Sequence, residues 1–108
     1  MAYDHALAER LRSQITQVPF DENRMFGGLA ILVNGNMACG VSGDDLILRL
    51  PHSEYENALS RPGVREFDMT GKPMRGWVVL SAGILDEDAA LRAWVTKGIN
   101  FALTLPPK

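Results

Sequence analysis

Asn34-Gly35 lies between two apolar runs of strand length, residues 29–33 and 36–42. Both central residues of a type I′ turn need φ > 0, and Asn-Gly meets that demand better than almost any other pair. Gly43-Asp44 gives a second turn signal, before a third apolar run at 45–50. The block MFGGLAILVNGNMACGVSGDDLILRL therefore specifies an antiparallel meander. With two-residue loops Val33 faces Asn36 and Ser42 faces Asp45. One sheet face then collects Leu32, Met37, Cys39, Val41, Leu46, Leu48 and Leu50, and this face is expected to be the core. The other collects Leu29, Ile31, Val33, Ala38, Gly40, Ile47 and Arg49, a mixed face that a helix or a partner subunit would cover. A one-residue change in either loop would exchange the two sets.

The remaining elements follow from periodicity and punctuation. Tyr3, Leu7, Leu11 and Ile15 recur every four residues and predict a helix over 3–17, stopped by Pro19. Residues 22–28 read as a first strand ending at Gly27-Gly28. Ser53 and Glu56 fit a capping box, opening a short helix over 54–60. Residues 64–67 and 76–81 read as strands, with a loop over 69–75. Asp86, Glu87 and Asp88 place negative charge at the N-terminus of a last helix, where the helix dipole favours it. Leu91, Trp94, Val95 and Ala102 make the apolar face of that helix. The expected architecture is a two-layer α+β domain with a mainly antiparallel five-stranded sheet, in the order α-β-β-β-α-β-β-α.

At 108 residues the chain suits one domain, residues 1–108, large enough for one real core. The formal net charge of −2 lacks the basic excess of a dedicated nucleic-acid binder. The single cysteine, Cys39, forms no internal disulfide, and no apolar run approaches a membrane span. A cytoplasmic protein with no membrane contact is expected.

Three segments, MFGGLAILVNGNMACGVSGDDLILRL, RPGVREFDMTGKPMRGWVVL and AWVTKGINFALTLPPK, resemble the N-terminal domain family of TfoX/Sxy, the bacterial competence regulators. The resemblance spans roughly residues 2–108, and MFGGLAILVNGNMACGV and FDMTGKPMRGWV are its most specific parts. It implies a two-layer α/β fold with an antiparallel sheet, and a non-enzymatic regulator that works with a transcription activator. Founding members also carry a C-terminal helical domain; the chain, ending at LPPK, is expected to be a stand-alone N-terminal domain. The family is not defined by catalytic residues, so the resemblance transfers none, and no cofactor or metal is implied.

The residues themselves offer a candidate binding surface. The segment 68–77 combines Lys72 and Arg75 with Met69, Met74 and Trp77, and adaptable thioethers beside an aromatic and cations suit an interface. The alternative is a solvated loop whose Met and Trp side chains fold back on the core. Arg24, Phe26, Gly27 and Gly28 form a second candidate, where paired glycines admit close approach of a ligand or form a bulge. Arg49, set among leucines and an isoleucine, is a third, as an anion contact or as a surface arginine laying its stem over apolar atoms. Cys39 lacks an electropositive setting and reads as a buried structural thiol. His5 and His52 have no metal-ligand spacing with it. Gly43-Asp44-Asp45 resembles a polymerase carboxylate turn, but the hairpin explains all three residues.

Three functions are expected in descending order. The first is a regulatory protein-interaction domain without catalysis, with a partner in the transcription machinery or a homodimer formed through the mixed face and the 68–77 loop. The second is a small-molecule or anion sensor, in which Gly27-Gly28, Arg49 and the Lys72/Arg75 loop converge on one cleft. The third is a weak nucleic-acid-binding accessory protein using the basic residues between 61 and 75.

Overall fold

In the computed structural model the described residues are 3–16, 18–25, 28–67 and 75–107, with Met25 described by its backbone only. The elements are α1 (His5–Gln14), β1 (Asp21–Met25), β2 (Gly28–Val33), β3 (Asn36–Ser42), β4 (Asp45–Arg49), α2 (His52–Leu59), β5 (Val64–Glu66), β6 (Trp77–Leu80), a 3-10 turn (Ala82–Leu85) and α3 (Asp88–Thr104). The strands form one antiparallel sheet in the order β1-β2-β3-β4-β6-β5.

The sheet has six strands where five were expected. The reason is a chain reversal inside the first predicted stretch. Met25 pairs with Gly28, so β1 ends before the glycine and folds back along β2. Gly28 is needed there, because a Cβ at that position would run into the Val41 carbonyl oxygen of β3.

Both meander turns form as the dipeptides predict. Asn34 and Gly35 have φ of 54° and 82°, and Val33 faces Asn36. Gly43 has φ of 58°, at the position where a type II′ turn requires glycine, and Ser42 faces Asp45.

The expected division of faces holds for β4 and for most of β3, and fails for β2. The register shifts between Ile31 and Leu32: Leu32 pairs with Met37, but Ile31 pairs with Cys39, leaving Ala38 as an extra residue on β3. This β-bulge reverses the relation between the two strands. Leu29, Ile31 and Val33 join Cys39, Val41, Leu46 and Leu48 in the helix-covered core, and Ala38 is buried with them. Met37 instead packs on the opposite face, against Ile47, Phe67 and Val79. Leu32, expected in the core, pairs with Met37 and is only half-buried.

The helices lie on one side of the sheet. α3 packs on β3, β4 and β2, α1 packs on α3 and β3, and α2 packs on β5 and β6. Leu7, Leu11 and Ile15 form the predicted buried stripe of α1. Each fully buried leucine of this layer, Leu11, Leu48 and Leu91 among them, contributes roughly 1.5–3 kcal/mol by leaving water. Asp4 caps α1, its carboxylate accepting from the Ala6 and Leu7 amides at 2.8 and 3.2 Å.

The capping box predicted at Ser53 does not form. Pro51 stands at the N-cap of α2, no side chain caps it, and Ser53 falls within the first turn. Arg10 joins α1 to the start of α3: its Nη2 donates to the Leu85 carbonyl at 2.5 Å and to the Asp88 carboxylate at 3.1 Å.

Candidate functional site

The sheet face opposite the helices carries the densest group of sequence-nominated residues. β4 and β6 pair so that Ile47 faces Val79 and Arg49 faces Trp77. Alternation sends all four side chains to the same face. Ile47, Val79 and Phe67 form a small apolar cluster, with Met37 and Trp77 packed against it. The Phe67 and Trp77 rings lie 6.1 Å apart at 42°.

Arg49 stands at the end of this cluster. Its guanidinium carbon is 5.3 Å from the Trp77 ring centre and 5.4 Å from that of Phe101 on α3. One arginine therefore contacts an aromatic ring from each layer. Among the described residues no carboxylate lies within ion-pair distance of it. A guanidinium held by ring faces keeps its N–H edge for an acceptor and is suited to a planar, bidentate carboxylate or phosphate.

The other nominated residues separate from this group. Arg75 turns toward α2, with its guanidinium carbon 5.3 Å from the Tyr55 ring centre and Nη1 at 3.4 Å from Glu56. Burial first, and then the hydrogen bond that Tyr55 donates to Glu66 at 3.2 Å, push the Tyr55 phenol above its ordinary pKa. Arg24 lies on the exposed edge strand, opposite Leu29. Gly28 is at the end of the sheet near Ser42, and Arg49 is at the end near Met37. The glycine pair and Arg49 therefore do not converge on one cleft. Phe26, Gly27, Met69, Lys72 and Met74 lie outside the described residues.

The basic residues expected to form a nucleic-acid patch are likewise dispersed. Arg61 lies over the Trp94 ring at 5.5 Å, and Arg65 is bound to Asp45 at 2.7 Å. Ser42, Asp45, Arg65 and Glu66 rim a shallow depression floored by Ile47, Phe67 and Val79.

Cys39 is fully buried in the helix-side core, and burial pushes its thiol up to about 12. His5 stacks on Tyr3 with ring centres 4.7 Å apart. Among the described residues no group of three His, Cys, Asp or Glu side chains is placed to hold a metal ion. No described helix is long and apolar enough to cross a membrane.

Sequence reasoning missed Phe101 as a partner of Arg49. The residue sits in the last predicted helix, and its spacing of seven residues from Trp94 was the available sign that the two share a face. Docking of α3 across β3 and β4 was needed to bring it to Arg49.

Fold and site together define a small two-layer α+β domain, with helices on one sheet face and an aromatic–arginine cluster on the other. A model of the TfoX N-terminal domain family matches residues 13–102, and the chain belongs to that family. No curated protein and no solved structure matches it.

Proposed function

We propose that this chain is a non-catalytic regulatory domain that binds a protein of the transcription machinery through the face bearing Arg49 and Trp77. Family membership supports a place among the regulators that the sequence resembles. The observation that carries the reading is Arg49 held between Trp77 and Phe101 with no carboxylate beside it among the described residues. Tryptophan and arginine are the residue types that most often dominate binding energy at protein interfaces. An acidic side chain of a partner completes the arginine's hydrogen bonding and is shielded there from water. The reading places the protein in the cytoplasm, beside the machinery it regulates.

The test is affinity capture of the tagged protein from its native host after nuclease treatment, with Arg49→Ala and Trp77→Ala in parallel. The expected result is recovery of a transcription activator or RNA polymerase by the parent and its loss from both variants, with circular dichroism unchanged. Retention of every captured protein by both folded variants overturns the assignment.

Arg49, with no ion-pair partner among the described residues, favours one second reading, a sensor of small anions. A ligand that binds only the folded state raises the thermal midpoint by mass action. No shift across nucleotides, phosphates and carboxylic acids would remove that reading. Weak nucleic-acid binding has less support, since Arg61, Arg65 and Arg75 are engaged by three different elements.

A further inference from the structure

β1 is the longer of the two sheet edges, and it is the less guarded. Its five residues pair with β2 in unbroken register, without proline or bulge. Asp21, Glu22, Asn23 and Arg24 are all exposed. α1 packs on β3 and α3, and at the opposite edge α2 packs on β5, a strand of only three residues. An uncovered edge presents a row of backbone donors and acceptors that a further strand can satisfy.

The side chains of this edge are complementary to themselves. A two-fold axis through Asn23 places Glu22 of each copy opposite Arg24 of the other, twice in one interface. Moving the axis one residue either way places Glu22 opposite Glu22, or Arg24 opposite Arg24. Like charges directly opposite are destabilising and unlike charges are favourable. The charge pattern therefore selects one register among the neighbouring two-fold arrangements.

The intramolecular contacts fit the same register. Arg12 holds Glu22 through two hydrogen bonds, Nε to Oε2 at 2.7 Å and Nη2 to Oε1 at 2.9 Å. Arg24, two residues along on the same face of β1, has no ion-pair partner among the described residues. In the paired arrangement each Glu22 lies between its own Arg12 and the second copy's Arg24, and both guanidiniums are matched.

We propose that β1 is the contact by which two copies of this chain associate, antiparallel about a two-fold axis through Asn23, joining their sheets into one continuous sheet. Such an isologous contact is closed, so association stops at the dimer. It leaves the Arg49–Trp77 face free, and it stands whether or not that face binds a regulator.

Light scattering coupled to size exclusion reads the mass directly. The parent chain is expected at twice its 11.9 kDa monomer mass, and Arg24→Glu at the monomer mass, because the introduced carboxylate then faces Glu22 of the other copy. Glu22→Arg alone is also expected as a monomer. Mixed in equal amounts, the two variants restore opposite charges at every pair and are expected to form a heterodimer. Should Glu22→Arg fail to fold, Asn23→Cys supplies an independent readout. The axis sets the two introduced thiols opposite one another, so mild oxidation is expected to cross-link them far faster than those of an Asp44→Cys control at an exposed turn. A monomeric parent, an Arg24→Glu variant that remains dimeric, or Asn23→Cys cross-linking no faster than Asp44→Cys each overturns the proposal.

Discussion

Gly98 of α3 sits directly against the backbone of Ala38, so closely that a Cβ at this glycine would lie 2.7 Å from the Ala38 carbonyl oxygen and 2.7 Å from Leu48 Cδ1. The helix thus rests on the bulge of β3, and the missing side chain is what allows the approach. Gly98→Ala is expected to destabilise the fold by about 1–3 kcal/mol, the usual cost of overpacking a core. The loss appears in spite of alanine's better helix propensity, worth about 1 kcal/mol. Gly83→Ala, with no atom within 4 Å of the added carbon, serves as the control and is expected to leave the urea midpoint nearly unchanged.

Asn36 is buried at 3% exposure, and its Nδ2 donates to the Pro106 carbonyl at 2.9 Å. This hydrogen bond fastens the start of β3 to the segment beyond α3. Asn36→Ala removes the donor and is expected to cost about 1–2 kcal/mol. Chemical denaturation measures the loss, and amide exchange is expected to rise first at the C-terminal end of α3.

The Cys39 thiol has its pKa raised from 9.0 to about 12 by burial. Below pH 9 the thiol is neutral in both folded and unfolded chains, and its contribution to stability does not vary. As pH rises from 9 toward 12 the unfolded chain ionises while the folded one does not, so stability falls. The expected slope is about 1.4 kcal/mol per pH unit once the unfolded thiol is fully ionised. Unfolding curves of the parent and of Cys39→Ala from pH 8 to pH 11 isolate this difference. The parent is expected to lose stability more steeply over that interval, and a parallel pair of curves would refute the assignment.

Two residues with N-cap chemistry are expected to behave differently. Asp4→Ala removes hydrogen bonds to the Ala6 and Leu7 amides and is expected to cost about 1 kcal/mol. Ser53→Ala is expected to be neutral within about 0.5 kcal/mol, because no side chain caps α2. Thermal unfolding of both variants separates the two outcomes.

The local signals in this chain were legible wherever one dipeptide or one stripe decided the outcome. Asn34-Gly35 and Gly43-Asp44 set their turns and the pairings beside them, because few other residues accept the backbone angles required. Leu7, Leu11 and Ile15 placed α1 against the sheet. The features that depend on competition between distant parts were not legible. Ser53 and Asp4 look equally suited to capping, and only the entry of the chain through Pro51 decides against Ser53. The bulge at Ala38 has no local marker; it follows from packing β2's larger side chains, Leu29 and Ile31, under the helices. Of the nominated site residues, Arg49 and Trp77 meet because β4 and β6 pair, while Arg75 is drawn away by Tyr55 and Glu56.

Ala38 is a supernumerary residue for the sheet and an indispensable one for the helix layer. Were it deleted, Asn36, Met37, Cys39, Gly40 and Val41 would alternate as an ordinary strand, and every one of them would keep its present side. The reading frame of the sheet is therefore indifferent to the loss of one of the two bulge residues, Ala38 or Cys39, whereas losing Gly40 would turn the rest of the strand inside out. What the deletion would remove is the step on which Gly98 rests. The one place where β3 tolerates a change of length is thus the place that seats α3, and selection on helix docking, not on strand pairing, is what would hold the strand at its present length.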